Sequence, residues 1–128
     1  GTAGSGAGVS KADSQRLTEY LHHILQAIQR IERYTAGLDE TAFLASEEKQ
    51  DAVIRNIEVL GEAARNIERH HPDYAAQHAD VSWADIYLMR NRVAHGYFSI
   101  DFEIVWKTVR NDLPELAAQI AALLKETP

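Results

Sequence analysis

Cysteine is absent from this 128-residue chain, and methionine occurs once, at Met89. No disulfide can form and no thiolate can hold a metal, so a reducing cytoplasm is the expected setting. Long apolar runs are missing too. Nothing approaches the roughly 20 residues needed to cross a bilayer, so no membrane role is expected. Positive charge is scarce: 13 Lys+Arg stand against 19 Asp+Glu, a net charge of −6. Such a chain is a poor general coat for nucleic acid, and any contact with RNA has to come from a local basic cluster. Sustained period-two alternation and Asn-Gly or Asp-Gly turns are also missing, which argues against strands and hairpins.

What is present is helical periodicity. Hydrophobic residues make up 45% of the chain, enough for one core. Leu17, Leu21, Ile24, Ile28 and Ile31 form one stripe, with Asp13 or Ser14 as the expected cap and Gly37 as the stop. A second helix is expected from Ser46, with Glu47 and Glu48 in its first turn and a stripe of Val53, Ile57, Leu60, Ala64 and Ile67. Pro72 should end it, and Gly61 inside it marks a close helix–helix approach. Residues 73–80 read as a short helical turn or a loop. Ser82 and Asp85 open a third helix that should run to His95, with Gly96 as its stop. Asp101 caps a fourth, which Pro114 should kink or split. The expected fold is all-α: four or five helices, mostly antiparallel, in a bundle. Apolar surface beyond the core's needs makes a homodimer the default assembly. The opening GTAGSGAGVS begins a stretch, residues 1–12, that reads as a tag remnant or flexible tail and leaves 13–128 as a single helical domain.

The chemistry concentrates in LMRNRVAHGYFSID, residues 88–101. On a continuous helix, His95 would lie over Asn91 and Arg92, with Arg90 pointing about a third of a turn away. Helix-end carbonyls favour a protonated imidazole at His95 and the neighbouring arginines oppose it, which suits a group exchanging protons near neutrality. A histidine beside a fixed guanidinium suits cleavage of an RNA backbone. The base takes the ribose 2′-OH proton, and the guanidinium holds the charged phosphate oxygens. The same pattern also serves as plain helix-end design, cations complementing the dipole.

RNRVAHGY (90–97) resembles the R-x4-H-x-Y signature of the HepT-like ribonuclease toxins, a branch of the HEPN superfamily. DAVIRNIEVLGEAARNI (51–67), VSWADIYLMRNRVAHGYFSID (81–101) and IVWKTVRNDLPELAAQI (104–120) resemble family stretches in order and spacing. The resemblance implies a HEPN-like dimeric helical bundle with a composite cleft at the dimer interface, cutting RNA without metal or other cofactor. Arg90 and His95 would be catalytic, with Asn91 and Arg92 in support. It also implies an MntA-like minimal nucleotidyltransferase antitoxin that transfers AMP to Tyr97. Bulk and negative charge added there would block the cleft. Packing at the bundle end beside Phe98 is the other reading of Tyr97. A non-catalytic HEPN-like companion of a nucleotidyltransferase, binding a phosphate through Arg90 and His95, is the alternative function.

Other groups carry weaker expectations. His22, His23, His70, His71 and His78 form no ready chelate, because adjacent residues on a helix point about 100° apart. Trp83 and Trp106 lie on apolar stripes and suit the core. Arg55, Arg65, Lys107 and Arg110 could add a basic rim, Arg110 foremost. Glu62 is expected to pair with an arginine of the motif helix.

Overall fold

The structure, a computed structural model, describes residues 11–95 and 99–127, with Ala94 and His95 described by their backbone. The readings of residues 1–10, and of Gly96, Tyr97 and Phe98, fall outside the described residues. Helix α1 spans Lys11–Thr35, α2 Glu40–Leu44, α3 Glu47–His70, α4 Pro72–Gln77 and α5 Trp83–Val93. A two-residue strand β1 (Ala94–His95) pairs with β2 (Ser99–Ile100), then α6 covers Phe102–Lys107 and α7 Leu113–Glu126. The architecture is an all-α bundle in which α1 packs on α3, α3 on α5 and α7 on α1. Among the described residues no helix is long and apolar enough to cross a membrane.

The stripes predicted from spacing are the core. Leu21, Ile24, Ile28 and Ile31 of α1 face Val53, Ile57, Leu60 and Ile67 of α3, all with no accessible surface. Burying each side chain of this size stabilises the fold by about 1.5–3 kcal/mol before chain entropy is set against it. Tyr20 meets His71 at one end of the α1–α3 pair, and Lys49 lies over Tyr34 at the other, so the two helices run antiparallel. Fully buried Phe43 on α2 plugs one end of the core, its ring 5.3 Å from that of Trp106. Gln50 donates to the carbonyls of Phe43 and Leu44, which ties α2 to the first turn of α3.

Most caps follow the sequence. Ser46 accepts from the Lys49 amide and Asp101 from those of Glu103 and Ile104. Gly37 takes the positive φ of 76° that a side chain disfavours. Helix α1 begins at Lys11, ahead of the expected cap, which places Asp13 in its first turn. Pro114 has no amide proton, and its ring conflicts with the carbonyl of residue 110 in an α-helix. The chain answers with a π-turn at Thr108–Asp112, where the Leu113 amide donates to the Thr108 carbonyl.

Gly61 is where α5 settles on α3. A Cβ built there would lie 3.4 Å from the Ile86 carbonyl oxygen and 3.6 Å from the Tyr87 Cα. That space admits one methyl group and no more. Gly61→Ala should therefore keep the fold and gain up to about 1 kcal/mol of helix propensity. Gly61→Val should lose about 1–3 kcal/mol by overpacking. Urea midpoints of the two variants check both signs.

Candidate active site

Helix α5 carries the candidate site at its C-terminal end. Its inner face, Trp83, Ile86, Met89 and Val93, is buried. Leu88, Asn91 and Arg92 are exposed together on the outer side, Leu88 at 42%. Gly61 meets residues 86 and 87 while position 58 meets position 90, so α3 and α5 are antiparallel. This register sets Arg90 Nε 2.9 Å from Glu58 Oε2, with the two side chains 62% and 47% exposed. An ion pair that open to water contributes about 0–1 kcal/mol to stability. The partner expected from sequence, Glu62, is instead exposed one turn further along α3.

The helix ends at Val93 and does not reach His95. The Asp101 amide donates to the Val93 carbonyl at 2.8 Å, and Ala94 and His95 pair with Ile100 and Ser99. Continuing the helix would forfeit these bonds. It would also withdraw Ile100 and Phe102, which pack on the core. The i, i+4 geometry that would put His95 over Asn91 and Arg92 therefore does not hold. His95 is held through its backbone, two residues beyond the helix and five along the chain from Arg90. Arg90, Asn91 and Arg92 share the exposed last turn of α5.

The other candidates find structural places. Arg110 donates to the carbonyls of Leu38 (2.7 Å) and Thr35 (3.5 Å) and lies 4.2 Å from the centre of the Trp106 ring. It closes the end of α1 and is no free rim cation. Arg65 donates to the Tyr87 hydroxyl at 2.8 Å, while Arg55 and Lys107 are exposed. Trp83 and Trp106 are core residues. Among the described residues no three His, Cys, Asp or Glu side chains converge as metal ligands. Among the described residues, two surface recesses lie away from Arg90. One of about 430 Å³ lies between α4 and α5, lined by Glu68, Trp83 and Asp85 among others. The second, about 320 Å³, is lined by Asp13, Arg16, Tyr20, His70 and His71. Arg90 lines neither, and stands on open surface.

Three comparisons bear on this arrangement. A family model described as "Ribonuclease HepT-like" matches residues 24–123. The chain belongs to the HepT-like ribonuclease family. A "Probable ribonuclease HepT" of Thermococcus cleftensis is 36% identical over 84% of this chain and 94% of its own length. A "Putative RNase" of Caldanaerobacter subterraneus is 30% identical over 84% of this chain and 93% of its own. A "Gamma-glutamylcyclotransferase and putative RNase" of Methanocaldococcus jannaschii is 36% identical over 84% of this chain, which spans 47% of that longer protein. No solved structure matches. Glu58, Arg90 and His95 all fall inside the stretch that matches the HepT-like family.

His71 shows how burial tunes a histidine outside the motif. Its Nε2 is buried without a hydrogen-bond partner. Burial lowers its pKa from the usual histidine value, Asp13 pulls it back, and His70 and Arg16 lower it further. Burial likewise raises the pKa of the Tyr74 hydroxyl. With the folded pKa of His71 depressed, the unfolded chain takes up its proton first. Stability should fall as pH drops through about 6.5 and below, and be complete above that. His71→Phe should flatten that part of the curve in urea titrations at pH 5 and 7.5; an unchanged slope contradicts the assignment. Arg110→Ala should cost about 1–2 kcal/mol through the lost carbonyl bonds and ring contact, read as a lower thermal midpoint.

Proposed function

We propose that this chain is an endoribonuclease that cleaves RNA through its own 2′-OH. One observation carries the reading: within the family match, Arg90, the first residue of the R-x4-H-x-Y sequence pattern, stands on the last turn of α5 and is open to solvent. His95 takes the proton from the 2′-OH, and the oxygen attacks the adjacent phosphorus. Arg90 stabilises the charge that builds on the phosphate oxygens. The P–O5′ bond breaks, and the leaving oxygen is protonated by a second acid. The products are a 2′,3′-cyclic phosphate and a 5′-hydroxyl, a route that calls for no metal. Asn91 and Arg92 flank the site on the same exposed turn as Arg90, and Arg92 adds positive potential.

In the same proposal the enzyme is a homodimer. Exposed Leu88 and Ile104, at 42% and 40%, support a contact near the motif. An open Arg90 surface in one subunit becomes a cleft when the second subunit supplies the facing wall and the second acid. The enzyme is a toxin of a toxin–antitoxin pair in the cytoplasm. Its MntA-like nucleotidyltransferase partner silences it by transferring AMP to Tyr97, which sets bulk and negative charge beside the cleft.

The test is incubation of purified protein with RNA in chelator. The parent should generate cyclic-phosphate ends, and His95→Ala should lower the rate by about 10²–10⁴-fold with an unchanged helical circular dichroism spectrum. Equal cleavage by His95→Ala removes the assignment. RNA binding by the parent without new ends points instead to a non-catalytic companion of a nucleotidyltransferase.

A further inference from the structure

Glu58 is the one carboxylate that reaches the motif arginine among the described residues, and the reaction as drawn leaves it without a task. Its place is set by packing, since it lies three residues before the glycine that lets α5 approach α3. The pair is too exposed to matter much for stability, yet the atom on which it falls is informative. The carboxylate meets Nε. A guanidinium held there keeps its two terminal nitrogens free, and those are the fork that grips a phosphate. A carboxylate sitting on the terminal nitrogens would instead compete with RNA. An unpaired arginine on this surface would spread over many rotamers.

We infer that Glu58 is a positioning residue, holding Arg90 by its Nε edge so that the terminal nitrogens face the scissile phosphate. The inference rests on the ribonuclease reading above. It carries a particular kinetic signature. The Glu58 charge repels RNA in the ground state, while the orientation it imposes serves the transition state. Removing the charge should therefore divide binding from turnover.

Three variants test this: Glu58→Gln, Arg90→Ala and the double change. Cleavage of a short labelled oligoribonucleotide gives kcat and KM, a 2′-O-methyl oligonucleotide gives affinity without cleavage, and ¹⁵N NMR follows the Arg90 Nε–H. Glu58→Gln should bind the 2′-O-methyl probe a few-fold more tightly yet turn over roughly 10–100-fold more slowly. In the Arg90→Ala background, Glu58→Gln should cost nothing further. A purely structural residue would not separate affinity from turnover in this way. Turnover by Glu58→Gln equal to or above the parent's overturns the inference, as does an undiminished loss in the Arg90→Ala background. If the parent does not cut RNA, the ribonuclease reading fails and the NMR decides this point alone. A dispersed Arg90 Nε–H that survives probe binding and shifts in Glu58→Gln upholds the positioning role. An Nε–H signal that is the same in parent and Glu58→Gln refutes it.

Discussion

The backbone of α5 rests on α3 at Gly61, and the layout of the site depends on that contact. With 3.4 Å between a hypothetical Cβ and the Ile86 carbonyl oxygen, the two helices leave room for a methyl group and nothing larger. Their antiparallel register then follows from the buried stripes. One turn beyond the contact, Arg90 emerges opposite Glu58. Three residues further along, the Val93 carbonyl accepts from the Asp101 amide. A residue larger than alanine at 61 would push α5 outward and loosen all of these together.

Two constraints fix where the motif helix stops. Ile100 and Phe102 seek the core, and Asp101 both caps α6 and bonds back to Val93. The short ladder from Ala94 and His95 to Ile100 and Ser99 anchors the histidine's backbone to the far side of its own loop. A residue held that way has less freedom than one at a fraying helix end. In the proposed reaction this restraint fixes where the His95 backbone leaves the helix, as the seating of α5 fixes where Arg90 emerges.

Helix faces and most of the caps were legible in the sequence, because they are local. The stripe Leu17, Leu21, Ile24, Ile28, Ile31 and the caps Ser46 and Asp101 need only spacing and side-chain chemistry to be read. Pro114 announced a break, though not that a π-turn would absorb it. What escaped was register between helices. Glu58 and Glu62 lie one turn apart on α3, and only the seating of α5 at Gly61 decides which meets Arg90. Arg110 likewise reads as a rim cation from sequence, and only the packing of the α1 end beside it supplies its carbonyl partners. The two-residue ladder carries no alternation to detect and is fixed by contacts made after the chain turns. The R-x4-H-x-Y spacing was visible throughout, and the family match from 24 to 123 accords with the resemblance it carried.

The central claim is that Arg90 and His95 serve one phosphodiester. A structure of the assembled protein with a 2′-O-methyl oligonucleotide bound tests it most directly. The account expects an Arg90 guanidinium and a His95 imidazole, from one subunit or two, within hydrogen-bonding reach of a single phosphate and its 2′-oxygen, about 2.6–3.2 Å. Oligonucleotide bound elsewhere, with these side chains on surfaces facing away from each other, contradicts it.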